Sequence, residues 1–391
     1  MQETDSLIFY IFIIFAGSAV LATLALYARQ ALLVAYIVLG IVLGPAGLAV
    51  VSNTQLVTSI ADIGIIFLLF LLGLNLQPQD LLRMLRKSTL VTIISSIAFG
   101  IFGFGVGHVF GFTVSENLLI GASVMFSSTI IALKLLPTTV LHHKHAGEMI
   151  VSILLLQDLI AIVVLLMLEG FSKQGGSSWV DAFILAFNLP LLIGFAITFQ
   201  RYVLSKLIRR FDKIQEYIFL MAIGWCLSMA ELAGVLGLSH EIGAFVAGIV
   251  LASGIIARFI AESLKPLRDF FLVIFFFSLG AKLNLLVLYS ILIPAFILAA
   301  VMLWVKPYVF KGILVRLGEE DALSFEMGCR LGQISEFSLL IAVVALESKV
   351  ISDSASYLIQ TATILTFIAS SYFIVQNYPT PIAVSDRLRR D

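Results

Sequence analysis

Apolar positions run along this chain in long unbroken blocks, with the polar and charged residues gathered in the gaps between them. A block of about 20 residues crosses a hydrocarbon layer ~30 Å thick as an α-helix, and in lipid a helix satisfies its own backbone. Thirteen such blocks are predicted, at roughly 7–28, 31–49, 56–75, 88–111, 116–136, 148–169, 180–202, 216–235, 240–257, 268–283, 285–310, 322–346 and 354–376. An odd number of crossings puts the two chain ends on opposite sides. Two blocks are interrupted. Ser127-Ser128-Thr129 breaks the fifth shortly before Pro137, and Gly328, Gly332, Gln333, Ser335 and Glu336 crowd into the twelfth. Interrupted segments in matching places of two halves point to a transporter site. Seven crossings separate the two breaks, so they enter the layer from opposite sides, as in an inverted repeat.

Composition agrees with this reading: 60% of residues are hydrophobic and 12% charged, against about 45–50% and ~25% in soluble domains. The chain is predicted to be an all-α polytopic membrane protein, with residues 1–391 forming one transmembrane transporter domain. Lys and Arg balance Asp and Glu at 24 each, so no overall charge points to nucleic acid. The distribution of the basic residues sets the orientation, because Lys and Arg are retained on the cytoplasmic side. Alternate gaps hold Arg29; Arg83, Arg86 and Lys87; Lys134 and Lys144; Arg201, Lys206, Arg209, Arg210 and Lys213; Arg258, Lys265 and Arg268; Lys311 and Arg316; and Arg387, Arg389 and Arg390. The opposite gaps hold only Lys173, Lys282 and Lys349. The N-terminus is therefore expected outside and the C-terminus in the cytoplasm. The first block follows Glu3 and Asp5 rather than a basic region, so it reads as a retained helix. Cys226 and Cys329 lie inside apolar blocks and offer neither a disulfide framework nor a zinc spacing.

The sharpest chemical feature is Gln157-Asp158, near the middle of an otherwise uncharged stretch from Met149 to Leu168. An acid at that depth is costly and marks an ion or proton pathway by default. A proton or a bound cation would each neutralise Asp158, and the two exclude one another. Gln157 is neutral, leaves Asp158 as the only acid at that point, and offers either a carbonyl oxygen or an amide donor. Asp158 follows the first interrupted block by one helix. Lys306 precedes the second by one helix, which places both near the crossing.

The strings Tyr36-Ile37-Val38-Leu39-Gly40 with Gly44-Pro45, Ile63-Gly64, Leu69 to Leu74, Ser127-Ser128-Thr129, Leu156-Gln157-Asp158, Gly243 to Gly248 and Leu331 to Phe337 together carry a resemblance. From about Tyr36 to Ala345 the chain resembles the membrane domain of the monovalent cation:proton antiporters. It is most similar to the glutathione-gated potassium efflux (Kef-type) antiporters. The resemblance implies that Asp158 is the carboxylate that binds the cation, K+ or Na+, and carries the proton. Gln157 then stands where sodium-selective relatives have a second aspartate, which favours potassium. Lys306 matches the lysine of the eleventh span, Ser128 and Thr129 the first unwound stretch, and Gln333 and Glu336 the second. The resemblance also implies a homodimer in a bacterial inner membrane, with a dimerisation domain and a core domain (helices about 88–169 and 285–376) that moves in an elevator-like way. Potassium efflux relatives usually continue into a cytoplasmic nucleotide-binding regulatory domain; none is expected within residues 1–391, and a separate or truncated regulatory domain stays open as a partner, as does gating by glutathione or nucleotide. His240-Glu241, before Gly243, departs from the apolar pair of the family.

Each candidate has a plainer reading beside it. Asp158 and Lys306 could form a structural pair, since buried charges are commonly paired, and Lys306 could either hold the broken helices together or act in release. Glu336 and Arg330 read as a fixed ion pair or as caps of the unwound region. Glu231, Asp62 and His108 read as interfacial residues. His142, His143 and His145 belong to a loop that is either solvated or sensitive to pH. Pro137, Pro266 and Pro307 read as helix-end or kink residues. Among competing functions, a channel would need a ring of filter oxygens, and no repeated filter segment is present. An enzyme would need a motif, and the chain has no His-Glu-x-x-His, nucleophile elbow or phosphate loop. A sensor derived from a transporter stays open. The reading that unites these features is exchange of a monovalent cation, K+ before Na+, for H+ through Asp158. It is electroneutral, and no further cofactor is expected.

Overall fold

The computed structural model describes residues 3–28, 30, 32–51, 54–75, 78–136, 145–172, 179–211, 213–252, 257–283 and 285–380. Arg29, Pro137, His142, His143, Lys144, Lys173, Arg387, Arg389 and Arg390 lie outside them, as do the side chains of Arg83, Arg86, Lys87, Lys134, His145 and Arg258. The helices are α1 (Glu3–Tyr27), α2 (Leu32–Leu43), α3 (Thr54–Asn75), α4 (Pro78–Val109), α5 (Val114–Val124), α6 (Thr129–Lys134), α7 (His145–Ser172) and α8 (Trp179–Phe199). They continue with α9 (Ser205–Phe211), α10 (Gln215–Val235), α11 (His240–Ala252), α12 (Ala257–Lys282), α13 (Leu285–Arg316), α14 (Asp321–Arg330), α15 (Glu336–Glu347) and α16 (Asp353–Asn377).

Among the described residues nine helical segments are long and apolar enough to cross a membrane, while α2 and α11 are shorter apolar helices of 12 and 13 residues. At ~1.5 Å per residue these two span about 18–20 Å; the predicted block 31–49 is helix only to Leu43, while residues 253–256 of the block 240–257 lie outside the described residues. After α2 the chain curls back at Gly44-Pro45, where Gly47 N donates to Gly44 O at 3.0 Å and Leu48 N to Val42 O at 2.7 Å. Proline there lacks the donor that would continue the helix. Two predicted basic loops are helical instead. From Phe195 to Phe211 no glycine or proline stops the chain, and α8 runs through a wide π-turn at Gln200–Leu204 into α9. Likewise α12 begins at Ala257 and carries Lys265 and Arg268 within it. Pro266 and Pro307 both sit inside helices, in α12 and α13.

The chain divides into two compact units. The first comprises residues 1–19, 36–82 and 169–282, and its helices meet backbone to backbone at glycines. A Cβ on Gly40 of α2 would lie 2.1 Å from Phe277 O of α12, and one on Gly280 of α12 would lie 2.1 Å from Ile37 O of α2. The same reciprocal contact recurs between α3 and α11, where Gly73 faces Phe245 O at 2.5 Å and Gly248 faces Phe70 O at 2.1 Å. Glycine is required at such an approach because any side chain would displace the neighbouring helix. The sequence repeats with the contact: Gly40-Ile41-Val42-Leu43 reappears as Gly248-Ile249-Val250-Leu251.

The second unit comprises residues 20–35, 83–168 and 283–391. Here α13 lies along both α14 and α16, and α15 lies along α16 and α5. Phe99, Ile150, Ile153, Leu154, Phe310, Leu314 and Leu331 are fully buried together with neighbouring aliphatic residues. They form the apolar floor on which the two interrupted helices rest. All the candidate site residues belong to this unit.

Candidate functional site

Each interrupted helix restarts on a serine. α5 ends at Val124 with Met125 as its C-cap, residues 126–128 are non-helical, and Ser128 caps α6 with its Oγ accepting from Ile131 N at 3.2 Å. In the same way α14 ends at Arg330, residues 331–335 are non-helical, and Ser335 caps α15 with its Oγ accepting from Phe337 N at 3.1 Å. Serine is a favoured N-cap because its hydroxyl replaces a missing intrahelical partner. Backbone that leaves a helix at this depth needs partners from the protein itself, and each break finds them.

Gln157 serves the first break with both ends of its amide. Ser127 N donates to its Oε1 at 3.0 Å and its Nε2 donates to Met125 O at 3.3 Å. Lys306 bridges the two breaks, its ammonium donating to Phe126 O at 2.5 Å and Gln333 O at 3.0 Å. Ser127 Oγ donates to Leu331 O at 2.7 Å, and Gln333 Nε2 to Ser128 O at 3.2 Å. Ser338 Oγ also donates to Ser123 O. The second break is further held by α16, where Ile334 N donates to Thr366 Oγ1 at 3.0 Å and Ser370 Oγ to Gln333 Oε1 at 3.1 Å.

Two carboxylates face this crossing, and both are half satisfied. Asp158 is 0% exposed, with Oδ2 accepting from Thr129 Oγ1 at 3.0 Å and Oδ1 without a hydrogen-bond partner. Glu336 is 6% exposed, with Oε1 accepting from Ile130 N at 3.3 Å and Oε2 without a partner. The two acids lie within electrostatic reach of each other. Asp158 is therefore not the only acid at this point. The first turn of α15 carries Glu336 back toward the start of α6, a convergence that sequence spacing does not reveal.

Among the described residues two anticipated ion pairs are absent. Lys306 pairs with neither acid: its partners are the carbonyls above and the ring of Phe99, whose centroid is 5.1 Å from Nζ. Arg330 pairs with Glu326 rather than Glu336, its Nε and Nη2 lying 2.9 and 2.7 Å from Glu326 Oε1. One helical turn separates those two residues, so the pair forms along α14 itself. Arg330 also donates to Leu135 O and Pro379 O, both at 2.9 Å, and its guanidinium lies 5.6 Å from the Tyr378 ring centroid. It thereby ties the end of α6 to the segment after α16.

Seven of the eight candidates thus converge: Ser128, Thr129, Gln157, Asp158, Lys306, Gln333 and Glu336. The residues missed from sequence are Thr366, Ser370 and Ser338, together with Glu326 as the partner of Arg330. A signal for two of them exists, since Thr363, Thr366 and Ser370 are spaced at three and four and are all buried on one face of α16. Elsewhere Glu231 and His240 lie 3.9 Å apart on largely exposed side chains, a placement suited to a helix end. Both cysteines are free and buried.

Chemically, a buried carboxylate oxygen with no donor is stabilised by a proton or by a cation, since an unpaired buried charge is costly. The oxygens shown around Asp158 are its own carboxylate, the Thr129 hydroxyl and the neighbouring Glu336 carboxylate. These are hard donors of the kind that alkali cations take.

Known proteins agree with this architecture. The chain is 29% identical over 351 residues to the iron transporter MagA of Paramagnetospirillum magneticum, covering 88% of this chain and 80% of that protein. To K(+) efflux antiporter 5 of Arabidopsis thaliana it is 28% identical over 357 residues, covering 87% and 61%. Antiporter 4 of the same plant is 28% identical over 356 residues, covering 88% and 59%. The chain therefore spans about three fifths of the plant relatives' length. In structure it is similar to the sodium proton antiporter MjNhaP1 of Methanocaldococcus jannaschii, with a TM-score of 0.72 at 17% identity over 95% of this chain and 97% of that one. Residues 11–375 match the model of the sodium/hydrogen exchanger transmembrane domain. An all-helical membrane fold with two facing breaks and a match over nearly the whole chain establish that the protein belongs to the sodium/hydrogen exchanger family of cation:proton antiporters.

Proposed function

We propose that this protein exchanges potassium for protons, one for one, by alternating access of the elevator type, with Asp158 as the group that binds either ion. The observation that carries the reading is the half-satisfied Asp158 carboxylate: Thr129 holds one oxygen while the other, fully buried, has no donor. A proton or a desolvated alkali cation completes it, and each displaces the other. Two facts support potassium over sodium. The position before Asp158 is a neutral glutamine already engaged with the first break, and two of the relatives are named as K(+) efflux antiporters. The relative named as an iron transporter suggests a second cargo, but the donors at the crossing are all oxygens. Among the described residues no three His, Cys, Asp or Glu gather as transition-metal ligands.

In the same reading the protein is a homodimer with thirteen crossings in a bacterial inner membrane, its N-terminus outside and its C-terminus cytoplasmic. The core helices about 88–169 and 285–376 carry the site as the moving part. Proton flux in proteoliposomes driven by gradients of potassium, sodium, rubidium or lithium, with the membrane potential clamped, tests this. The expected order has potassium and rubidium above sodium and lithium, with no net current. Flux with Asp158→Asn should fall to the level of empty liposomes while the variant folds normally. Retained exchange in that variant would remove the assignment.

A further inference from the structure

Three formal charges are buried within one crossing, and their arrangement is unusual. Asp158 and Glu336 each keep one carboxylate oxygen without a hydrogen-bond partner, and the Ser128 hydroxyl and the Thr129 and Ile130 amides lie around the Glu336 carboxylate. Lys306, 0% exposed, binds neither of them and instead holds Phe126 O and Gln333 O beneath the face of Phe99. Two carbonyl oxygens and an aromatic face are electron-rich partners that suit an ammonium and offer nothing to a neutral amine's lone pair. Arg330 does not enter the balance, because Glu326 neutralises it on α14.

We propose that Lys306 is a fixed counter-charge to Glu336, so that the centre carries a net charge of minus one and admits one monovalent positive species, shared between the open oxygens of Asp158 and Glu336. This rests on the reading of Asp158 as the exchanging acid and names its partner. It gives one-for-one exchange a cause in the number of charges present rather than in the number of acids. With only Asp158 and Lys306 the empty centre would be neutral and a cation would enter without electrostatic gain. With both acids and no lysine it would call for two positive species at once. Long-range charge matters here because a buried site screens less than water does. Glu336 is a positioning and charge-setting residue in this scheme, and its bond to Ile130 N is the part that an amide can replace.

The test is cation binding and flux with Glu336→Gln, Lys306→Gln and the double variant, in the full chain reconstituted in liposomes. Gln retains an acceptor for Ile130 N, so a purely structural role predicts wild-type behaviour for Glu336→Gln. The expected result is an apparent potassium affinity about tenfold or more weaker, with recovery toward the wild-type value when Lys306→Gln is added, because the double variant again carries minus one. Wild-type affinity in a folded Glu336→Gln would overturn the proposal, as would a folded double variant that stays as weak as the single. Should the double variant fail to fold, Glu336→Gln alone decides: potassium affinity weakened about tenfold or more supports the proposal, and wild-type affinity overturns it. Asp158→Asn is run beside them. If it keeps exchanging, the underlying reading fails; if it is inactive while Glu336→Gln is unchanged, only the counter-charge proposal fails.

Discussion

Gln157 and Asp158 are adjacent in sequence and opposite in role. Both ends of the Gln157 amide are taken by the backbone of the first break, whereas Asp158 keeps an oxygen open. Gln157→Asp therefore changes two things at once: it adds a second charge at the crossing and removes the donor to Met125 O. The expected outcome is a higher sodium-to-potassium flux ratio together with a loss of about 1–3 kcal/mol of stability from the unsatisfied buried carbonyl, read by thermal melting in detergent. An unchanged ion preference would place selectivity in the broken-helix backbone. The burial of Asp158 beside the first break is legible in the sequence, because a lone acid in the middle of an apolar block is costly and stands out there. Glu336 is visible in the sequence but not placed by it, since its orientation depends on how α15 is capped. The partner of Arg330 is ambiguous for a related reason: Glu326 and Glu336 flank it in sequence, and only the ending of α14 at Arg330 decides between them.

At the scale of the elements, the two breaks are readable because hydroxyl and glycine residues interrupt apolar blocks there, and Ser128 and Ser335 act as the caps their chemistry favours. The supports from α16 are readable only as a polar face, through the spacing of Thr363, Thr366 and Ser370, and the sequence does not say what that face meets. Thr366 and Ser370 are individually ordinary in a membrane helix, and their importance lies in meeting Ile334 N and Gln333 Oε1. Hydropathy misjudges helix length where it disagrees with backbone geometry, as at Gly44-Pro45, and where basic residues continue a helix rather than end it. The glycine contacts make a separate claim. Gly40→Leu and Gly248→Leu should each destabilise the fold by about 1–3 kcal/mol or more through overpacking, because a carbonyl lies 2.1 Å from the added Cβ. Gly224→Ala, with open space around it, should be neutral or stabilising by up to about 1 kcal/mol. Melting temperatures of the three variants check this, and equal shifts would refute the close-approach account.

Across the whole molecule one spacing recurs. Phe70 and Phe277, Gly73 and Gly280, Ser128 and Ser335, and Phe99 and Lys306 are each 207 positions apart. In the first unit this repeat produces reciprocal glycine contacts, and in the second it produces two capped breaks. Phe99 and Lys306 occupy matching places in the two halves and face each other, the ammonium over the ring. The halves differ at the crossing: Gln157 serves the Ser127 amide as Thr366 serves the Ile334 amide, but only the first half adds an acid beside it, and only the second adds Lys306 and Glu336. An approximately symmetric scaffold thus holds an asymmetric centre. The claim at that centre is competition between a proton and a cation for Asp158, and it is tested most directly by counting protons released as potassium binds to the purified protein. The account expects close to one proton per potassium bound, and none from Asp158→Asn. Potassium binding without proton release, or release that persists in that variant, would contradict it.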